Sequence, residues 1–253
     1  MDSRAIKKII KAADLNSEDL VLEIGPGLGV LTKELVQKVK KVIAVEKDKN
    51  MVELLKESFN NKNLEIINKD ILKFIPEFKN YKIVANLPFY LTAPVIRRFL
   101  EAIDNPPQQM VLVVQKEVGQ RICASPPKMS ILAVSVQAYA KVEIVSYISR
   151  KSFWPVPKVD SAVIKISPCL SNYAYSEKRD LFFKIVKAGF CQPRKQLINN
   201  LSRGLKIDKK NVENWLLKNK IQPSQRAETL GLKDWMNLTK SYFIGITFKD
   251  LTT

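Results

Sequence analysis

Apolar residues recur along this chain in two rhythms. Short runs of strand-forming residues stand at "LVLEIG" (20–25), "KVIAVE" (41–46), "LEIIN" (64–68), "KIVAN" (82–86), "QMVLVVQ" (109–115), "VEIVSYI" (142–148) and "SAVIKI" (161–166). Between the first five lie helical patterns, such as "VLTKELVQKV" after the first and "NMVELLKESF" after the second. Strands alternating with helices at this spacing predict a mostly parallel sheet covered by helices on both faces. The last two runs follow each other with no clear helix, which predicts an antiparallel edge pair. The expected class is α/β, a seven-stranded sheet within residues 1–168. Before it, "MDSRAIKKIIKAAD" places Ile6, Ile9 and Ile10 at the spacing of a short amphipathic helix.

After Pro168 the texture changes. Residues 169–253 hold no good strand until "YFIGITF", and show helical spacing at "RDLFFKIVKAGF", "KKNVENWLLKNK" and "LKDWMNLTKSYF". Pro193, Gly204 and Pro223 separate these, and "PCLSNYAYSEKRD" fits a linker. From residue 170 onward 16 Lys and Arg stand against 7 Asp and Glu, a net of +9. A small, basic, mainly helical second domain over 169–253 is expected.

Composition then narrows the chemistry. The 253 residues include no histidine, which removes Ser-His-Asp and Cys-His nucleophiles and every histidine-ligated metal. Cys123, Cys169 and Cys191 are too far apart for a zinc pattern or a disulfide framework and are expected as small buried hydrophobes. No metal is expected. No apolar run approaches the roughly 20 residues that span a bilayer, and the start lacks a signal peptide's apolar core. A cytoplasmic monomer is expected. The formal charge is +17. An excess of this size points to a polyanionic partner, nucleic acid ahead of an anionic membrane surface.

Candidate chemistry gathers at strand ends. "LEIGPGLGVLTKEL" follows a strand and opens a helix, with Gly25, Gly27 and Gly29 spaced G-x-G-x-G rather than as the dinucleotide fingerprint G-x-G-x-x-G. Such glycines let the backbone turn tightly and approach a ligand. Glu46, 21 residues after Gly25, ends the second run, where a carboxylate can accept ribose hydroxyls. Asp70 follows the third in "NKDIL", placed either to grip an adenine amino group or simply to cap a helix. Three such groups in succession imply an adenosine-bearing ligand, and S-adenosylmethionine fits best.

The fourth run ends in "NLPF". Methyl transfer from a sulfonium is an in-line displacement, so a protein need mainly align the acceptor's lone pair within about 3–3.5 Å. On a purine amine that pair is delocalised into the ring. The Asn86 side-chain oxygen and the Leu87 carbonyl can accept its two N–H groups and draw the nitrogen towards tetrahedral geometry. Pro88 stiffens the turn, and Phe89 offers a face on which a base can stack. No imidazole is needed.

In these segments the chain resembles the ribosomal RNA adenine N6-dimethyltransferase family, whose small-subunit members dimethylate adjacent adenines in a terminal helix. "EIGPGLGVLT" is similar to the family's donor loop, and "VANLPFYLTAPVI" to its catalytic motif, with Phe89 where tyrosine is common. "VVQKEVGQRICASP", "SILAVSVQ", "SFWPVPKVDSAVIKI", "FCQPRKQLINNL" and "RAETLGL" follow the family's order to the helical end of the chain. The resemblance implies a Rossmann-like methyltransferase sheet with a small helical C-terminal domain that binds RNA. It implies donor contacts at Glu23, Gly25, Gly27, Glu46, Asp70, Ile71 and Asn86. Asn86, Leu87, Pro88 and Phe89 become the amine grip, and Phe153 the second aromatic across the base.

The charge then gains an RNA to face, and Arg97, Arg98, Lys116, Arg121, Lys158, Arg194 and Lys195 are the candidate contacts. Family members usually begin with a basic stretch and a Gln-x-Phe-Leu motif before the helix read here as "RAIKKIIKAAD". The chain given starts after it, so the fold is expected to stand while donor affinity in this form is expected to be poor. Two other readings share the motifs: an antibiotic-resistance methyltransferase of large-subunit RNA, and a non-catalytic RNA-binding assembly or transcription factor. "RKQLINNL" and "RAETLGL" favour the small-subunit enzyme, and the intact "NLPF" opposes loss of catalysis.

Overall fold

Each of the seven apolar runs forms a strand, and the parallel ones end where the chain meets a glycine or a polar side chain. A computed structural model of the chain describes residues 1–102, 105–169 and 177–242. The strands are β1 (Leu20–Ile24), β2 (Lys41–Glu46), β3 (Leu64–Asn68), β4 (Tyr81–Asn86), β5 (Gln109–Gln115), β6 (Ala140–Ile148) and β7 (Ser161–Pro168). They form one sheet in the order β3-β2-β1-β4-β5-β7-β6. The first five run parallel, and β7 lies antiparallel to both β5 and β6. The expected antiparallel pair is present, with β6 at the edge. The inward β-branched residues of β1, β4 and β5 are fully buried, as strands covered on both faces require.

The helices are α1 (Ser3–Ala13), α2 (Val30–Leu35), α3 (Lys49–Ser58), α4 (Thr92–Glu101), α5 (Lys116–Ile122), α6 (Ile131–Gln137), α7 (Arg179–Gly189), α8 (Leu197–Leu205), α9 (Lys209–Lys218) and α10 (Leu232–Ser241). Asp2 caps α1 by accepting from the Ala5 amide at 2.8 Å, and Asp14 ends it in a left-handed turn. Ile6 and Ile9 are buried with Leu31 and Leu35 of α2 against Val21, Val84, Val111 and Val163 of the sheet. Each such side chain contributes about 1.5–3 kcal/mol.

Three expectations are corrected. No α-helix links β3 to β4; only a 3-10 turn at Ile71–Lys73 does. Pro76 follows closely, and its ring and missing N–H exclude a longer helix there. The cysteines are not all buried: Cys191 is exposed, and Cys123 and Cys169 are intermediate. Nor does the division at residue 168 hold for the whole chain. Among the described residues, one compact unit lies within 1–120 and 140–168, and the other within 121–139 and 169–242.

The reason for that last exchange is local to the second unit. Tyr139 stacks on Phe183 of α7 at 5.8 Å, the Met129 amide donates to the Glu228 carbonyl at 2.9 Å, and Gln137 ties α6 to the carbonyls of Ile122 and Ala124. The second unit is helical in its described residues, as expected. The "YFIGITF" strand and most of the linker lie outside the described residues. Among the described residues no helix is long and apolar enough to cross a membrane.

Candidate active site

Chain order reverses between β1 and β4, since β1 leads to β2 on one side and has β4 on the other. Open α/β sheets take their ligands at such a reversal, outside the carboxyl ends of the strands. A cavity of about 820 Å³ is present there. Ile24, Gly25 and Gly27 line it from β1, Glu46 from β2, Asp70 and Ile71 after β3, and Asn86, Leu87, Pro88 and Phe89 from β4. Because β7 runs antiparallel, its first residue, Ser161, lies opposite Gln115 at the end of β5. That direction delivers the preceding loop, with Phe153, Trp154, Pro155 and Pro157, to the same cavity.

The glycines divide their work. Gly25 and Gly27 have φ of +64° and +54°, and a Cβ on either would meet nothing within 4 Å, so both leave open space for a ligand. Gly29, at φ +75°, is different: a Cβ there would run into the Phe59 ring and come within 2.8 Å of Leu55. Its role is close packing of the loop on α3. Left-handed strain of about 1–2 kcal/mol and overpacking of about 1–3 kcal/mol both act on Gly29→Ala. A loss of about 2–4 kcal/mol in urea unfolding is expected; a loss below about 0.5 kcal/mol would remove the packing role.

Glu46 is bound into this loop. Its Oε1 accepts from the amides of Lys47 (2.8 Å) and Asp48 (3.0 Å), and Oε2 accepts from Gly27 at 3.3 Å. The last bond is the longest and leaves Oε2 open to a hydroxyl. Asp70 lines the cavity and also caps the 3-10 turn through the Leu72 amide at 3.0 Å. That amide, and then the Lys47 ammonium at 3.1 Å, hold its carboxyl below the usual range.

Asn86 ends a central strand, with its backbone in register with Val113 of β5. Among the described residues its side-chain amide has no hydrogen-bond partner, so it faces the cavity uncommitted. The following turn is set by the Leu91 amide donating to the Pro88 carbonyl at 2.9 Å. Phe89 and Tyr90 are exposed on the rim.

Several expected residues stand elsewhere. Glu23 does not line the cavity and is only 1 % exposed; burial pushes its pKa up to about 8, Glu46 adds to the rise, and Thr32 offsets part of it. Phe153 is the exception in that it lines the cavity, while it also packs against the core beside α1. Arg98 donates to the Phe74 carbonyl at 2.8 Å, Arg97 pairs with Glu101 at 3.0 Å, and Lys116 lies over the Tyr147 ring. Lys158 is an exposed member of the first unit, while Arg121, Arg194 and Lys195 are exposed in the second. Sequence reasoning passed over Lys47, Lys69, Tyr90 and Trp154, all of which line the cavity. The available signal was their adjacency to Glu46, Asp70, Phe89 and Phe153.

Comparison with known proteins bears on this arrangement. Residues 1–243 match the family described as ribosomal RNA adenine dimethylase. The chain belongs to that family. Within it, this dimethylase-family protein is 42 % identical over 243 residues to the ribosomal RNA small subunit methyltransferase A of Dehalococcoides mccartyi, covering 94 % of this chain and 83 % of the relative. The protein of the same name from Clostridium botulinum is 39 % identical over 248 residues, covering 94 % and 89 %. Among solved structures, a dimethyladenosine transferase from Plasmodium falciparum superposes with a TM-score of 0.80 at 29 % identity, over 97 % of this chain and 98 % of that one. The 23S rRNA methyltransferase ErmE gives the same TM-score at 25 % identity, over 95 % and 97 %. These likenesses agree with the Rossmann-like methyltransferase fold expected from the sequence.

Proposed function

We infer that this protein transfers methyl groups from S-adenosylmethionine to the N6 amines of two adjacent adenines in small-subunit ribosomal RNA. The observation that carries the reading is a single cavity lined both by the open glycine turn with Glu46 and Asp70 and by Asn86 to Phe89. The fit to an adenosine-bearing donor rests on the empty space over Gly25 and Gly27 and on two carboxylates at successive strand ends. When bound, the donor supplies an electrophilic methyl on a sulfonium. Glu46 receives ribose hydroxyls, and Asp70 receives an adenine N–H.

On the acceptor side, the Asn86 Oδ1 and the Leu87 carbonyl accept the two N–H groups of the target amine and free its lone pair. Phe89 stacks on the base, which must leave its own stack to arrive there. Once methylated, the nitrogen is acidic and its proton passes to water. The exposed Lys and Arg of both units hold phosphates, which gives affinity without reading sequence. The basic helical second unit is assigned to RNA binding.

The small-subunit target is preferred because relatives named for it are 39–42 % identical, against 25 % for ErmE. Incubation of immature ribosomal subunits with labelled donor tests the reading. Label in small-subunit RNA, with two methyls on each of two neighbouring adenines by mass spectrometry, is expected. Label in the large subunit selects the resistance-type enzyme, and retained RNA binding without label selects a non-catalytic role.

A further inference from the structure

Trp154 is 89 % exposed at the rim of the cavity, although a tryptophan typically buries about 150–250 Å² in a fold. Its neighbour Phe153 turns inward against the core. The loop that presents Trp154 is held at both ends. The Arg150 amide donates to Asp160 Oδ1 at 3.0 Å, closing the loop on itself. The Asp160 carbonyl accepts from the Lys116 amide at 2.9 Å, and the Ser152 carbonyl accepts from the Asp2 amide at 2.8 Å. Pro155 and Pro157 fix φ beside it. The indole is therefore offered on a stiff support, which lowers the entropy lost on binding. The loop's exposed charges are all positive: Arg150, Lys151 and Lys158.

An exposed aromatic among cations, on a rigid loop, suits a base and its phosphates in single-stranded nucleic acid. The reacting base is already assigned to Asn86 and Phe89 at the end of β4, whereas Trp154 lines the cavity from the loop before β7 and has no part in holding that base. We propose that Trp154 is the platform on which the nucleotide adjoining the target adenine stacks. The proposal rests on the reading given under Proposed function. On that reading the adjoining nucleotide is the second adenine, and stacking it on the rim keeps it beside the cavity while its neighbour is methylated. A protein surface or a lipid headgroup would offer no sequence of alternating planar bases and phosphates to match this loop.

The test uses the full chain and a short RNA hairpin whose loop carries two adjacent adenines, one of them replaced in turn by 2-aminopurine or by an abasic residue. Trp215 is 4 % exposed and Trp235 is buried completely, so RNA-induced quenching of solvent-exposed indole emission reports Trp154. Wild-type protein is expected to show that quenching and to quench 2-aminopurine at the adjoining position. Trp154→Ala is expected to weaken hairpin affinity about 5- to 150-fold, the range measured for loss of one base–aromatic stack. Trp154→Phe should recover most of it, and the urea midpoint of Trp154→Ala should match wild type because the side chain is so exposed. The deciding result is the cycle: the abasic hairpin should weaken wild type by a similar factor and add nothing to the Ala variant. Additive losses, or quenching that persists with the abasic hairpin, would overturn the proposal. Methyl transfer to small subunits by wild type is followed separately: its absence removes the underlying reading, while its presence with additive losses removes only the role of Trp154.

Discussion

Asn86→Ala is expected to slow methyl transfer by at least about 10²-fold, the scale seen when one preorganised polar group is removed from a reacting centre. The expectation follows from what Asn86 does and does not touch. Its backbone lies in register with Val113 inside the sheet, so the strand survives the change. Its side chain holds no other part of the described protein, so nothing else is released. On the proposed mechanism, what is lost is an acceptor for one N–H of the target amine, and with it the pull that frees the nitrogen lone pair. RNA affinity should stay within about threefold, because the phosphate contacts proposed above do not include Asn86. Initial rates at saturating donor, alongside filter retention of labelled RNA, separate the two quantities. A variant that keeps a fifth or more of the wild-type rate would remove the amine grip from the mechanism.

The second large effect is on stability. Glu23 sits at the end of β1, fully enclosed, and among the described residues its Oε2 has no hydrogen-bond partner. Its pKa rises from an ordinary 4.5 to about 8, chiefly through desolvation. The folded carboxyl therefore keeps a proton that the unfolded one has lost. The associated stability is full below about pH 4.5 and falls as pH climbs towards 8, at a slope approaching ~1.4 kcal/mol per pH unit. The total amounts to several kcal/mol. Glu23→Gln removes the titrating group while keeping its shape, so the difference in urea stability between variant and wild type should grow steadily in the variant's favour between pH 5 and pH 8. Parallel curves for the two proteins across that range would show that Glu23 titrates normally.

Glu23 also illustrates what a sequence conceals. The acid beside the glycine turn was expected among donor contacts, yet it is enclosed and does not line the cavity, while Glu46 and Asp70 do. Spacing places an acid near a strand end, but it does not say whether neighbouring elements will enclose it. Phe153 and Trp154 are a similar case, being adjacent and aromatic with opposite fates. Helix α8 was legible only as a family motif. Its sequence, "LINNLSRGL", carries Asn199, Asn200, Ser202 and Gly204, which are weak helix formers. It is held by contacts instead: Asn200 donates to the carbonyls of Gly189 and Gln192, and Gly204 allows the backbone of Ala188 to come close.

By itself the sequence determined the seven strands, the helices with clear periodicity, and the strand ends that carry Gly25, Glu46, Asp70 and Asn86, because hydrophobic period and turn chemistry are written in neighbouring residues. Tertiary structure alone decided that β7 enters between β5 and β6, that residues 121–139 join the second unit, and that Trp154 rather than Phe153 is left on the rim. Those outcomes depend on pairings between residues far apart in the chain, such as Ser161 with Gln115, whose energies no local pattern contains.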